Sequence, residues 1–211
     1  MIKHFTFNHF GVNCYLIVDE VAKQCAIVDP AMEATYEDAQ LTQYLSTESL
    51  QVTHILLTHA HVDHIAGLRQ ACERFKLPVT MHRDGLKLLR QAEAYGSVMG
   101  FDVQSMEDLP TVHADEGTVI MVGNIEVHCL FVPGHCPGSL CFVIPSEEAV
   151  LTGDALFRGS IGRTDLPGGN YQELIDNLKK KVMPLPDGYR ILPGHDAYST
   201  IADEKRYNPF L

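Results

Sequence analysis

Four short apolar segments of this sequence run directly into a histidine or an aspartate. They are ILLTH ending at His59, FVPGH ending at His135, VLTGD ending at Asp154 and ILPGH ending at His195. Short apolar runs of this length indicate buried strands, and loops at strand ends can bring several side chains to one point while the sheet holds them in place. One such turn is explained well enough by a polar residue that caps a strand. Four of them favour a shared functional site over four independent caps.

The first of these segments continues as THAHVDH over residues 58–64. His59 and His61 are two positions apart, so their side chains point the same way in an extended loop. Asp63 and His64 open the next turn and can face a neighbouring position. A lone His-x-His pair would favour a solvated loop with satisfied histidines, but three imidazoles and a carboxylate so close together favour metal binding. The spacing suits two metal ions better than one.

Two blocks of predicted strands, each followed by helices, indicate the fold class. In the first block, strands are predicted at residues 2–7, 14–18, 25–28, 54–58 and 79–81, with helices at 36–45, 64–75 and 84–94. Residues 96–109 are predicted to be irregular. In the second block, strands are predicted at 118–122, 125–132, 140–144, 149–151 and 190–192, with helices at 171–182 and in the last residues. This order predicts an α/β (α+β) fold in which two sheets pack face to face with helices outside.

Length, charge and cysteine content narrow the class of protein further. The 211 residues are typical of one domain, and we expect a single domain over residues 1–211. The net charge of −11, from 16 basic and 27 acidic residues, argues against nucleic acid or an anionic membrane as a partner, because both bind clusters of lysine and arginine. No window approaches the ~18 apolar residues of a membrane span, and the chain starts without a secretory segment. There are six cysteines without a CxxC spacing, and most of them are expected to be reduced core residues of a cytoplasmic protein.

The HxHxDH stretch, together with the distant His135, Asp154 and His195, resembles the hallmark of the metallo-β-lactamase superfamily. The resemblance spans nearly the whole chain and implies an αββα sandwich of two mixed β-sheets with outer helices. It also implies a first metal site of His59, His61 and His135, a second of Asp63, His64 and His195, and Asp154 bridging both. Asp29, after the strand Ala26-Ile27-Val28, matches the superfamily's aspartate that orients a ligand histidine.

Within the superfamily, the chain is most similar to the glyoxalase II enzymes, which are hydroxyacylglutathione hydrolases. The best-known β-lactamase branch carries a cysteine where this chain has Asp154, which disfavours β-lactam hydrolysis. Arg163 lies where glyoxalase II carries a basic residue that contacts glutathione, and Tyr198 follows the last ligand and is a second candidate for substrate binding. Glyoxalase II normally continues into a helical domain that completes the glutathione site, whereas only about sixteen residues follow His195 here. The chain thus resembles the short bacterial branch, and the thiol part of the substrate stays open.

The resemblance implies a hydrolase that cleaves a small thioester of the S-lactoylglutathione type. Two divalent metal ions, zinc first with iron or manganese open, would hold a bridging hydroxide that attacks the carbonyl carbon, with Asp63 and Asp154 in the catalytic centre. The main alternative is an iron-dependent persulfide dioxygenase, because that branch shares the ligand pattern and a stretch like Gly162 to Asp165. There, one iron would be held by His135, Asp154 and one of the first two histidines or their neighbours. A metal-binding protein without catalysis is a third possibility, and the oligomeric state stays open.

Overall fold

The computed structural model describes residues 1–211 and contains two six-stranded sheets. The strands of the first sheet, in spatial order, are β1 (Ile2–Phe7), β2 (Val12–Asp19), β3 (Gln24–Val28), β4 (Gln51–Leu56), β5 (Val79–Met81) and β6 (Thr111–His113). The second sheet contains β7 (Val119–Val122), β8 (Ile125–Phe131), β9 (Leu140–Ile144), β10 (Ala149–Gly153), β13 (Arg190–Pro193) and β14 (Ser199–Thr200), in the spatial order β14-β13-β10-β9-β8-β7. A small separate hairpin pairs β11 (Leu156–Phe157) with β12 (Ser160–Ile161).

Both sheets are mixed. In the first sheet, β1 to β3 are antiparallel, whereas β3 to β6 run parallel to one another. In the second sheet only β10 and β13 are parallel neighbours, and the other pairs are antiparallel. Parallel neighbours need a crossover connection, which helices supply here.

Helices cover the outer faces of the two sheets. They are α1 (Thr35–Thr47), α2 (Leu68–Phe75), α3 (Leu86–Arg90), α4 (Ala92–Met99), α5 (Tyr171–Asn177) and α6 (Ile201–Tyr207), and a π-helical turn at Leu178–Val182 continues α5. Helices α1 to α4 pack on the first sheet, and α5 and α6 pack on the second. The predicted αββα sandwich is therefore confirmed. None of these helices has the length and apolarity that a membrane crossing requires.

The central core lies between the sheets and is built from the inward side chains of both. Tyr15 and Ile17 of β2 meet Phe142 of β9 in this cluster. The opposite face of β2, with Leu16, packs with α1, so all eight residues of the strand are buried. β2 therefore has no exposed face, because both of its faces are covered. The six cysteines are buried and unpaired, as predicted.

Two predicted helices are interrupted. The predicted helix at residues 64–75 is divided between a 3-10 turn at Val62–Ile65 and α2, and between the two the backbone N–H of Gly67 donates to the carbonyl oxygen of Pro30. A Cβ at position 67 would lie 2.9 Å from the Met32 carbonyl oxygen. Residues 84–94 are divided between a short 3-10 turn, α3 and α4, and α4 extends into the segment predicted to be irregular. It ends at Gly100, which has the left-handed conformation usual at a helix C-terminus.

Strands β6, β11, β12 and β14 were not predicted. Each has only two or three residues. Unlike the equally short but fully buried β5, none of these strands is a continuous run of buried apolar residues that would mark it in the sequence.

Candidate metal centre

The strand ends that carry the predicted ligands meet at one edge of the sandwich. His59 follows β4 in the first sheet, whereas His135, Asp154 and His195 follow β8, β10 and β13 in the second. Strands β8, β10 and β13 run in the same direction, so their carboxyl ends share an edge. The structure brings all seven predicted ligands together there.

The seven side chains form two groups. In the first, the Nδ1 atom of His61 lies 2.9 Å from the Nε2 atom of His135, and His59 lies beside both rings. In the second, the Nε2 atom of His195 lies 3.2 Å from an oxygen of Asp63 and 3.3 Å from the Nε2 atom of His64. Donor atoms that lie this close to one another can bind the same cation.

Asp154 lies between the two groups. Its Oδ2 atom is 3.9 Å from Nε2 of His59 and 3.7 Å from Nε2 of His135 in the first group. The same oxygen is 3.6 Å from Nε2 of His195 in the second group, and Oδ1 is 3.3 Å from Nε2 of His64. This position agrees with the bridging role implied by the resemblance.

Two buried polar atoms of the cluster have no hydrogen-bond partner, namely Nε2 of His59 and Oδ1 of Asp154. The Asp154 oxygen lies near His64 but outside hydrogen-bond geometry. Orphaned buried polar atoms are rare in folded proteins, because each one costs free energy that water or another partner would otherwise recover. Imidazole nitrogens and carboxylate oxygens are ligands that zinc, iron and manganese accept. The residues therefore fit a pair of divalent cations.

The ionisation of the cluster also suits cations. Burial lowers the pKa of His59 well below its usual value and that of His61 to about 4, with the neighbouring His135 adding to the effect at His61. These imidazoles are therefore neutral and offer lone pairs. Burial would raise the pKa of Asp154, but the charge of His64 and its contact with the carboxylate, together with the nearby His59 and His135, more than offset this and hold the pKa well below its usual value. In the same way, burial disfavours a charged His64, yet Asp154 and Asp63 raise its pKa well above normal. The carboxylates thus favour positive charge at this position.

Four of the histidines have a partner on Nδ1 that leaves Nε2 facing the cluster, and for His59 this partner is the Thr58 hydroxyl, 3.0 Å away. His64 bonds to Asp29, 3.0 Å away. His135 donates to the carbonyl oxygen of Arg163 at 2.8 Å, and His195 to that of Phe10 at 3.2 Å. Such partners fix the tautomer and the ring orientation of a ligand.

Asp29 connects this orientation to the strand end. Its two oxygens accept hydrogen bonds from the backbone N–H of Thr58, at 2.8 Å, and from the Thr58 hydroxyl, at 2.6 Å. Asp29 itself has a left-handed backbone conformation, with φ of 53°. The aspartate thus holds both the start of the THAHVDH loop and the ring of His64.

Close approach of the strand ends requires a glycine before the last histidine. A Cβ on Gly194 would overlap Oδ1 of Asp154 and lie 2.7 Å from Cε1 of His64. The backbone at Gly194 therefore packs directly against Asp154 and His64. A residue with a side chain at this position would prevent that contact.

The cluster lies at the base of a cleft of about 300 Å³. Besides the ligands His61, Asp63, His135, Asp154 and His195, the cleft is lined by one basic residue, Arg163, and by six apolar side chains. These are Phe10, Val62, Tyr95, Met99, Phe157 and Leu166. A small organic molecule can thus reach the donor atoms along a mostly apolar wall.

The two predicted substrate-binding residues have different positions. Arg163 lies at the cleft, with an exposed guanidinium that forms a two-bond ion pair with Asp165 at 2.8 and 2.9 Å. Tyr198 lies outside the cleft lining, where its ring packs beside His4 and Tyr15. The structure therefore brings Arg163, but not Tyr198, to the candidate site.

Several residues at the site were not singled out from the sequence. Phe10, Tyr95 and Met99 come from segments that approach the cleft only in the folded chain, so no local pattern marks them. Asn13 is different, because it is a polar residue within an apolar strand. It is buried and bonds to the segment around His195.

Comparison with known proteins agrees with this geometry. Residues 8–195 match the family model of the metallo-beta-lactamase superfamily. Hydroxyacylglutathione hydrolase GloC from Haemophilus influenzae is 35% identical over 215 residues, which cover 96% of this chain and 93% of that protein.

Two solved structures share the whole fold. The structure of BLEG-1 B3 metallo-beta-lactamase has a TM-score of 0.89 and 30% identity, with 100% of this chain and 99% of the other covered. The structure of TTHA1623 in a di-iron-bound form has a TM-score of 0.88 and 34% identity, with 99% of this chain and 100% of the other covered. The extent of these matches and the His and Asp cluster identify the family: the chain belongs to the metallo-β-lactamase superfamily.

Proposed function

We propose that this protein is a binuclear metal-dependent hydrolase of small thioesters, of the S-lactoylglutathione type. The observation that carries the proposal is Asp154, whose carboxylate lies between two groups of donors at the base of an open cleft. The similarity to GloC supports the thioester class. The unpaired cysteines fit a reducing compartment such as the cytoplasm. A single domain and the exclusion of nucleic acid and membrane partners stay predictions.

The residues of the site have distinct tasks in this reaction. Hydrolysis breaks the C–S bond, forms a C–O bond and transfers one proton from water to the departing sulfur. Two divalent cations would lower the pKa of water and polarise the carbonyl group. The first group (His59, His61, His135) and the second (Asp63, His64, His195) would hold these cations, and apolar side chains line the cleft above them. The carboxylate of Asp154, which lies between the two groups, is the protein group placed to pass the proton from water to the departing sulfur.

The proposal is tested by measuring metals and activity on the same preparation. Elemental analysis of the purified protein gives the identity and number of bound ions, with zinc the first expectation and iron or manganese open. S-lactoylglutathione hydrolysis is then followed together with oxygen uptake on glutathione persulfide. Hydrolysis without oxygen uptake supports the proposal. Oxygen uptake with bound iron would identify the dioxygenase instead, and a metal-loaded protein inactive on both substrates would contradict a thioesterase.

Replacing Arg163 by alanine is expected to raise KM for S-lactoylglutathione by up to about fivefold and to leave kcat unchanged. The effect is modest because the guanidinium is exposed and already paired with Asp165, and exposed pairs contribute about 0–1 kcal/mol. Initial rates over a range of substrate concentrations measure both constants. Arg158→Ala, in the same segment but outside the cleft, is the matched control. An equal rise in KM for both variants would show that Arg163 has no specific part in substrate binding. The contribution of Tyr198 stays a prediction.

A further inference from the structure

The turn between β1 and β2 and the first two residues of β2, together residues 8–13 and below called the β1–β2 turn, contact the second group of donors from two sides. Asn8 at its start reaches Asp63, whereas Phe10 and Asn13 reach the segment that carries His195. These two ligands come from different sheets, because Asp63 follows β4 and His195 follows β13. A single turn therefore spans the gap between the sheets at the second group.

Asn13 makes the largest set of these contacts. Its backbone N–H donates to the carbonyl oxygen of Gly194 at 2.7 Å, and its side-chain Nδ2 donates to those of Pro193 and Asp196 at 3.0 Å each. The three acceptors lie on both sides of His195. The side-chain oxygen of Asn13 is held in turn by His4, 2.8 Å away. With only 2% of its surface exposed, Asn13 has no water to replace these partners.

The segment around His195 needs such support. Asp196 has a left-handed backbone conformation with φ of 62°, which is strained for a residue with a side chain. The His195 ring is 20% exposed, whereas that of His64 is fully buried. Packing alone therefore holds His195 less firmly than His64. The hydrogen bonds of Asn13 to Pro193 and Asp196 fix the backbone on each side of the ligand.

Asn8 acts at the opposite ligand. Its Nδ2 donates to the carbonyl oxygen of Asp63 at 2.8 Å and to that of Ala31 at 3.0 Å. Its φ of 53° is again left-handed, and its backbone N–H donates to the buried Glu37. The position of the Asp63 backbone thus depends on the start of the same turn.

The first group is supported by other parts of the chain. His135 is oriented by the carbonyl oxygen of Arg163, and Nδ1 of His59 lies 3.0 Å from the Thr58 hydroxyl. Neither contact involves residues 8–13. Loosening the turn should therefore affect the two groups differently.

We infer that Asn13 and Asn8 are positioning residues that set the affinity of the second cation site and leave the first unaffected. The inference rests on the proposed use of the two groups as cation sites, but not on the substrate. Loss of a partner that orients a ligand typically weakens metal affinity about 10–100-fold. The second equivalent of metal should therefore bind about 10–100-fold more weakly in Asn13→Ala, while the first binds as in the wild type.

The test is a metal titration of the full-length chain. Protein stripped with a chelator is titrated with Co²⁺ or Zn²⁺, and bound equivalents are measured by equilibrium dialysis and elemental analysis. The wild type is expected to bind two equivalents, and Asn13→Ala to retain one under conditions that saturate the wild type. Asn8→Gly keeps the left-handed backbone and removes the contact with Asp63, so it should show the same selective loss. It also tests the inference if Asn13→Ala does not fold.

The matched control is Asn208→Ala. Asn208 is 6% exposed, and its side chain donates to Ser160 and Glu204 without touching any residue that carries a predicted ligand. This variant should melt at a lower temperature but bind two equivalents. The inference is overturned if the wild type binds one equivalent, if the Asn13 and Asn8 variants bind both normally or lose both in parallel, or if Asn208→Ala also loses the second. A protein that binds two ions but cleaves no thioester would contradict the proposed function and leave this inference standing.

Discussion

Replacement of Asp154 by alanine is expected to lower kcat/KM at least about 10³-fold and to reduce the bound metal. The carboxylate has oxygens within 3.9 Å of histidines from both donor groups, so its removal deprives both of a shared partner. Cations in such a site contribute several kcal/mol of transition-state stabilisation, and each 1.4 kcal/mol corresponds to about tenfold in rate. Elemental analysis and the initial rate on S-lactoylglutathione measure the two effects on the same sample.

A suitable control for this variant is Asp102→Ala. Asp102 is exposed and lies outside the cluster. Its replacement removes one negative charge, as Asp154→Ala does, but leaves all seven predicted ligands in place. The control should retain both metal and activity. If Asp154→Ala retained all of its bound metal and all of its activity, Asp154 would not be a metal ligand.

Replacement of Phe142 by alanine is expected to lower the free energy of unfolding by about 3–5 kcal/mol. Phe142 lies on β9 between the two sheets and has no exposed surface. Removing a buried aromatic ring forfeits its transfer free energy and leaves a cavity that the surrounding side chains fill only in part. Because strands from both sheets line the position, neither can close the gap without separating from its own neighbours. Urea unfolding followed by circular dichroism measures the change in midpoint and slope.

Phe210→Ala provides the comparison at an exposed ring. The Phe210 side chain is 39% exposed near the end of the chain, and its removal should change the free energy of unfolding by less than about 0.5–1 kcal/mol. Equal losses in the two phenylalanine variants would contradict a core between the sheets at Phe142. A changed slope would indicate that the variant no longer unfolds in two states.

The ligand cluster could be predicted from the sequence because each member is marked locally. His59, His135 and His195 each follow a short apolar run, and the edge at which parallel strands end is a property of the fold class rather than of any long-range detail. The spacing in residues 59–64 favoured two ions over one, whereas the division of the ligands into two groups was implied by the resemblance to the superfamily. The sandwich was predictable for a related reason, since the order of strands and helices restricts how layers can pack.

The remaining features depend on contacts that no local pattern contains. At the break before α2, the backbone of Gly67 bonds to Pro30, which is distant in sequence. The cleft wall combines Phe10, Tyr95 and Leu166 from three separate segments. Asn13 carried one local signal, a polar residue in an apolar strand, but its partners around His195 became evident only from the fold.

The burial of all six cysteines has a consequence for the proposed reaction, which would release a thiol. Burial raises the pKa of Cys136, next to the ligand His135, to about 12, and it raises the pKa of Cys25, Cys129 and Cys141 to about 12 as well. Thiol–disulfide exchange requires an accessible thiolate. The folded chain offers none, so disulfides formed from a released thiol product cannot attach to it. Reaction of the native protein with a thiol reagent would accordingly report how often the sandwich opens, not the reactivity of any one cysteine.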